Sequence, residues 1–326
     1  MTQMDTDGPI PRHTSWPADV AAAFPPGDAA PDPVRRGALL RGLHRYYLAY
    51  LAGPESFQDI PRLNTDARVA ATEQAWLAWE DARVDADALP ATPDAFRDWF
   101  LRTAAGHVQA EFCRYLAEDA TLPEIALFFL AEELVDSKFD DLVALVQLGT
   151  TGTTKLTIAE NYWDEMGRGS PERVHTRLFE RSAQYMRKHL ATAGAGIGLQ
   201  GEHGELQVPE VYENACLPLM YGIHRHLVPR ALGAMGLMEQ SAPPRFQAMV
   251  EGCERLGVPE DVIEYQRVHV HVDADHGAEW LEGVFTPLVA DSPAVLREIA
   301  MGVATRVRVA DAYYRCVRQR MREVAR

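Results

Sequence analysis

The chain has 326 residues, 47% hydrophobic and 24% charged, with 47 Asp and Glu against 32 Lys and Arg for a formal charge of −15. That composition fills a large globular core, and the length allows two ordinary domains or one large helical one. The acidic balance argues against nucleic acid or an anionic membrane as the main partner, because both reward clustered Lys and Arg. Cys113, Cys216, Cys253 and Cys316 form no CxxC pair, so neither a zinc knuckle nor a disulfide framework is indicated. No apolar run reaches the roughly 18–20 residues of a membrane span, and the N-terminus does not read as a signal peptide. A reduced, cytoplasmic protein is expected.

Residues 1–36 carry seven prolines and few long apolar side chains. The expectation is a loosely ordered or draped arm, followed by one all-α domain over 37–326. Leu39, Leu40, Leu43, Tyr47, Leu48 and Leu51 keep the three-four spacing of an apolar helix face, and Val69, Thr72, Trp76 and Trp79 mark a second helix. Thr92-Pro93-Asp94 opens a third. Thr121-Leu122-Pro123-Glu124 has capping-box spacing and predicts one apolar helix running to about Gly149. Helices follow over about 153–166, where the glycines 167 and 169 stop it, and over 170–191. The glycine-rich stretch 193–209 reads as a loop with the character of a lid. Helices resume over 209–238, with kinks or breaks expected at Pro218 and Pro229, and then over 243–256, 259–281 and 293–324. No alternating strand pattern and no internal repeat competes with them.

The most informative window is Val268–His276, where three of the eleven histidines fall within eight residues. On a helix turning about 100° per residue, His269, Asp273 and His276 lie within about 60° of one another, while His271 and Asp275 point elsewhere. Two imidazoles and a carboxylate on one stripe are a donor set that iron, manganese or zinc accepts. One helix face cannot complete such a site. In the stripe Phe128, Glu132, Val135, Phe139, Leu142 and Val146, Glu132 is the one polar residue, and burying it needs a compensating cation or hydrogen bonds. The adjacent Glu133 lies on a more polar face with Asp136, Ser137 and Asp140, and is the alternative. Glu160, Asp164 and Glu165 crowd a helix C-terminus, where the dipole disfavours negative charge, so a cation nearby would explain them. The break after them would let Glu165 and His175 return to one centre. The Glu-x-x-His pair of ferritin-like bundles occurs among these elements once, at Glu172–His175, which points away from that architecture.

With these residues in view, the chain resembles the haem-oxygenase-like diiron oxidases and oxygenases, the iron-containing redox enzymes. The resemblance spans most of 122–281. It rests on Glu132-x3-Asp136-x2-Phe139-Asp140-Asp141-Leu142, on Asn161-Tyr162-Trp163-Asp164-Glu165-Met166-Gly167 with His175 ten residues beyond Glu165, on Ala231-Leu232-Gly233 through Pro243-Pro244-Arg245, and on His269 to Trp280. The resemblance implies a helical bundle of seven core helices with additional N-terminal helices. It also implies two irons held by Glu132, Glu165, His175, His269, Asp273 and His276, with dioxygen as co-substrate. No haem is expected, since a haem site asks for an axial ligand in an apolar pocket rather than a ring of carboxylates. The implied activity is N-oxygenation or C–H activation (desaturation or cyclisation) of a small amino-acid-like metabolite in a biosynthetic pathway. An aliphatic carboxylate is the alternative substrate, and a non-catalytic metal-binding protein the alternative of a different class. An external electron donor and a homodimer are expected by the same analogy.

A substrate of that kind calls for a carboxylate clamp, for which Arg225, Arg230 and Arg245 are candidates, Arg225 foremost. His224 and His226 are expected in packing roles and His107 as a satisfied core histidine. Trp76, Trp79, Trp99, Trp163 and Trp280 are expected in the core.

Overall fold

A computed structural model describes residues 19–56, 66–192 and 208–324. It divides into two compact units, Met1–Arg83 and Val84–Arg326. In the first unit, α2 (Pro33–Tyr50) and α3 (Ala67–Asp81) carry the expected apolar faces, and a short helix α1 (Val20–Ala23) stands within the segment expected as an arm. Leu39, Leu40, Leu43 and Tyr47 of α2 and Trp76 of α3 are fully buried. The Tyr47 hydroxyl donates to Glu73 Oε1 across the two helices at 2.8 Å. Residues 1–18 of the expected arm lie outside the described residues, and α2 runs through position 36 without a break.

The second unit begins with α4 (Pro93–His107), α5 (Ala110–Glu118), α6 (Leu122–Asp136), α7 (Phe139–Gln147), α8 (Gly152–Glu165) and α9 (His175–Thr192). It continues with α10 (Pro209–Ile223), α11 (Val228–Ser241), α12 (Pro243–Arg255), α13 (Glu260–Glu279), α14 (Thr286–Asp291) and α15 (Pro293–Val324). No strand occurs among the described residues, and no described helix is long and apolar enough to cross a membrane. The start signals sit where the sequence places them. Thr92 Oγ1 accepts from the Ala95 N–H, and the Thr121 N–H and hydroxyl both donate to Glu124. The glycine-rich stretch expected as a loop falls, from 193 to 207, outside the described residues.

Helix α6 is the axis of the second unit. Every residue from Glu124 to Glu133 is buried, as a helix apolar nearly all round must be. It packs against α9, α10, α12 and α15. Phe128 and Phe129 are fully buried on it, and each contributes roughly 1.5–3 kcal/mol relative to an exposed ring. Helices α11 and α15 cross so closely that a Cβ on Gly233 would lie 2.1 Å from the Ile299 carbonyl oxygen, and one on Gly302 would lie 2.1 Å from that of Arg230.

Four local expectations are corrected. The helix expected from Thr121 to Gly149 is two, because Ser137 caps α6 and Lys138 leaves helical geometry. Asp140 and Asp141 then stand in the first turn of α7, where the dipole favours negative charge. Pro218 does not break α10, which is continuous around it, whereas Pro229 stands in the first turn of α11. Trp163 is 53% exposed rather than core, its indole lying over Gly169. Finally, α13 does not end as an α-helix. Its C-terminus continues as a π-helical turn, Trp280–Phe285, which packs against α8.

Candidate metal centre

Three elements bring one carboxylate and two imidazoles together. Helix α8 ends on Glu165, α9 starts on His175, and α13 carries His269 at mid-length. The chain between α8 and α9 reverses through Gly167 and Gly169, whose φ values of 60° and 85° are left-handed. His175 Nδ1 thereby comes to 3.0 Å from Glu165 Oε2, and His269 Nε2 lies 3.9 Å from Glu165 Oε1. One donor atom from each of the three lies within 4.8 Å of the others, and all three side chains are buried.

The surroundings prepare these donors for a metal. His269 Nδ1 sits 2.8 Å from the Tyr265 carbonyl one turn earlier. Nδ1 is therefore the donor, and Nε2 keeps the lone pair a metal takes. Burial holds the His269 imidazole below its ordinary range, which favours the neutral ring. Burial alone would raise Glu165, but His175 and His269 outweigh it and hold the carboxyl well below its usual range. The rings of Tyr265 and Phe246 wall His269 at centroid distances of 4.1 and 4.8 Å and keep water from it. His175 Nδ1 is buried with no hydrogen-bond partner despite the facing carboxylate. An orphaned nitrogen beside a carboxylate and a second imidazole fits a bound Fe(II).

The other expected ligands take different positions. Glu132 is buried and accepts from Arg245 Nη1 and from the Tyr313 hydroxyl. Glu133 is buried beside it but pairs with Arg187 of α9. Asp136, one turn beyond Glu132, is also buried and not on a polar face. Burial first, then the Glu132 charge, push its carboxyl well above the usual range, with Glu165 adding to the rise. Asp136 Oδ2 has no hydrogen-bond partner. Asp136, which the sequence reading set on a polar face and did not count among the ligands, is thus a third carboxyl next to Glu132 and Glu165. Its signal was the i, i+4 spacing from Glu132.

His276 is not part of the three-residue cluster. Its Nε2 donates to Asp164 Oδ2 at 3.2 Å, and its Nδ1 accepts from Asn161 Nδ2 at 2.9 Å. Asn161 Nδ2 also donates to Glu239 Oε1 at 3.0 Å, so a buried network ties α8, α11 and α13 together. The side chain of Asp273 lies outside the described residues. The backbone of α13 is continuous through it, one turn beyond His269. The acidic crowding at the end of α8 resolves three ways. Glu160 is exposed, Asp164 faces Arg168 and His276, and Glu165 faces the two imidazoles.

None of the three arginines considered for a clamp is idle. Arg225 is exposed and donates to the Leu145 and Leu148 carbonyls at the end of α7, capping that helix. Arg230 Nε bonds Glu298 Oε2 at 2.6 Å, and Arg245 holds Glu132. The arginine that sequence reasoning missed is Arg306 on α15. It interrupts the buried stripe Ile299, Val303, Ala310, Tyr313 and Val317 at three-four spacing, the same pattern that singles out Glu132. Its Nη1 donates to Asn214 Oδ1 at 2.6 Å and to the Asn214 carbonyl at 3.2 Å. That carbonyl is available because Pro218, four residues on, has no N–H to give it.

The all-α bundle and the buried Glu-His-His cluster agree with comparison by family model. Residues 126–311 match the family described as iron-containing redox enzyme. No curated protein matches the chain at a significant level. The matched segment is more than half of the chain and contains Glu165, His175 and His269. The chain belongs to the iron-containing redox enzyme family, with a haem-oxygenase-like all-α fold.

Proposed function

We propose that the protein is a non-haem diiron oxidase or oxygenase that uses dioxygen to oxidise a small amino-acid-like metabolite, by N-oxygenation or C–H activation, in a biosynthetic pathway. The observation that carries the reading is the buried Glu165–His175–His269 cluster, beside which Glu132 and Asp136 supply further carboxyls. Glu165, His175 and His269 would hold one iron, with Glu132, Asp273 and His276 completing the set that the family resemblance implies. Iron held there supplies the redox chemistry that makes dioxygen an oxidant.

The protein's own groups do the rest. The Tyr265 carbonyl fixes the His269 tautomer, and the rings of Tyr265, Phe246 and Phe179 exclude water. A ring of carboxylates and imidazoles suits iron that changes oxidation state, as opposed to a haem site.

The test is anaerobic loading with Fe(II), metal analysis of the desalted protein, and oxygen uptake on admission of air. About two irons per chain and oxygen consumption are expected, with both lost in His269→Ala and Glu165→Gln. Failure of the wild-type chain to take up iron, or full iron retention in the two variants, would sink the reading.

A further inference from the structure

The reversal between α8 and α9 is left-handed at three consecutive residues. Gly167, Arg168 and Gly169 have φ values of 60°, 52° and 85°. Glycine enters that region at no steric cost, whereas any residue with a Cβ is strained in it. Both glycines are also required by packing. A Cβ on Gly167 would lie 2.5 Å from the Arg173 carbonyl carbon, and one on Gly169 would lie 2.9 Å from the Trp163 ring. The residue between them is therefore held left-handed from both sides. Arg168 is the one non-glycine with such a backbone among the described residues, although a third glycine would meet the backbone demand with less strain. A strained residue kept in such a place points to work done by its side chain.

That side chain is 72% exposed and adds nothing to the core. Its hydrogen bonds go to one residue. Nε donates to Asp164 Oδ1, and Nη2 donates to Asp164 Oδ2 at 3.3 Å, so the planar fork meets the carboxylate with both arms. Asp164 is only 15% exposed, and its Oδ2 is the oxygen that accepts from His276 Nε2 at 3.2 Å. A carboxylate oxygen held by an arginine can only accept, so the His276 proton sits on Nε2. Nδ1 keeps its lone pair and accepts from Asn161 Nδ2 at 2.9 Å. An ion pair with one partner so exposed adds little stability, and the backbone strain opposes it. Stability therefore does not account for Arg168, whereas the orientation of Asp164 does.

We propose that Arg168 is a positioning residue for His276: its guanidinium sets the Asp164 carboxylate, which in turn sets the orientation and tautomer of the His276 imidazole. The left-handed backbone at 168 turns the fork back over the last turn of α8, where Asp164 stands four residues earlier. The same reversal carries His175 to Glu165. One short segment thus orients a histidine of α9 through its backbone and a histidine of α13 through a side chain. The consequence for iron rests on the proposed function, in which His276 completes the ligand set. The effect on the imidazole is a property of the metal-free chain.

The experiment uses the full chain labelled with [15N]histidine and stripped of metal with a chelator. Long-range 1H–15N correlation reads the ring nitrogens, and His276→Gln assigns the signal. The wild type is expected to show His276 protonated on Nε2. Arg168→Gly should shift the His276 nitrogens while the other histidines hold, with a Tm equal to wild type or higher because the strain is relieved. Arg168→Asn, which also tolerates this backbone but lacks the fork, should give the same shift. In anaerobic Fe(II) titrations, Asp164→Asn should weaken the second iron by about 10-fold or more and Arg168→Gly by at least about 3-fold. Adding Arg168→Gly to Asp164→Asn should change nothing further, since the arginine acts through the carboxylate. Unchanged His276 nitrogens in both Arg168 variants overturn the proposal. So does a loss of Tm in Arg168→Gly with His276 unmoved, the signature of a structural ion pair. A shift at His276 in a chain that takes up no iron leaves it standing while the iron function falls. Equal affinity for the second iron in wild type and Arg168→Gly does the reverse.

Discussion

The Glu132–Arg245 pair gives a sharp energetic test of how the core tolerates charge. Their side chains are 7% and 14% exposed, and the Tyr313 hydroxyl donates to the same carboxylate. Burial opposes the Arg245 charge, and Glu132 more than restores it. Arg245→Met strands Glu132 beside Asp136 with one neutral donor, and a stranded buried charge of this kind costs about 3–5 kcal/mol. Glu132→Leu strands Arg245 near a second buried arginine, Arg306, for a cost in the same range of about 3–5 kcal/mol. Removing both charges together leaves an apolar replacement and one unanswered tyrosine hydroxyl. The double variant should stay within about 2 kcal/mol of wild type, because replacing a buried pair outright is close to neutral and one lost hydrogen bond is worth about 1 kcal/mol. Urea unfolding followed by circular dichroism, with a chelator present so that bound metal adds nothing, measures all four corners of the cycle. Each single variant should also lose roughly 6–20 °C in Tm, at about 2–4 °C per kcal/mol for a unit of this size. A loss below about 1 kcal/mol in Arg245→Met, or a double variant as costly as the two singles summed, refutes the reasoning.

Three further outcomes are expected from the same structure. Asp136 has its folded value raised, so its contribution to stability is complete below the unfolded value and is lost as pH rises through the folded one. Asp136→Asn should therefore stabilise the metal-free protein at pH 8 and give no such gain at pH 4, by urea unfolding at both. Gly233→Ala places a Cβ 2.1 Å from the Ile299 carbonyl. It should cost at least about 1–3 kcal/mol by overpacking the α11–α15 crossing, while an exposed control such as Gly106→Ala, with nothing within 4 Å of its Cβ, should be neutral or stabilising. Burial pushes the Cys253 thiol up to about 12 and that of Cys316 up to about 11. Iodoacetamide at pH 8 should leave Cys253 unmodified in the folded chain and alkylate it in urea, with peptide mass mapping as the readout.

The fold class was readable because α-helix start and stop chemistry is local. Thr92, the Thr121–Glu124 box and the glycines at 167 and 169 act within a few residues of themselves. What failed was continuity. The apolar stripe from Phe128 to Val146 keeps its period across Ser137–Lys138, and periodicity cannot see a break that preserves phase. The Glu165–His175 pairing was readable for a similar reason, since one short reversal brings the two back together. His269 joins them from about ninety residues away, and motif spacing placed it on the right helix face without saying what stood opposite. For the rest, partners decided the outcome. Glu132 meets Arg245 and His276 meets Asp164 through packing of α6, α12, α8 and α13, a choice no single helix encodes. Arg306 could have been found, since an arginine inside a core stripe is as anomalous as the glutamate at 132.

The π turn at Trp280–Phe285 has a consequence for how this chain can change in length. A π turn holds more residues than an α turn of the same reach, so it is where α13 has a residue to spare. Deleting one residue there lets the turn close as α-helix, and His269 and His276 upstream keep their faces. Deleting one residue between 260 and 279 instead rotates the downstream part of the helix by about 100° relative to the upstream part. That rotation carries His276 away from Asp164 or His269 away from Glu165. Insertions and deletions among related chains are therefore expected to collect at the turn and to avoid the eight residues from His269 to His276. The spacing of the histidines is protected by a neighbour that absorbs the slack.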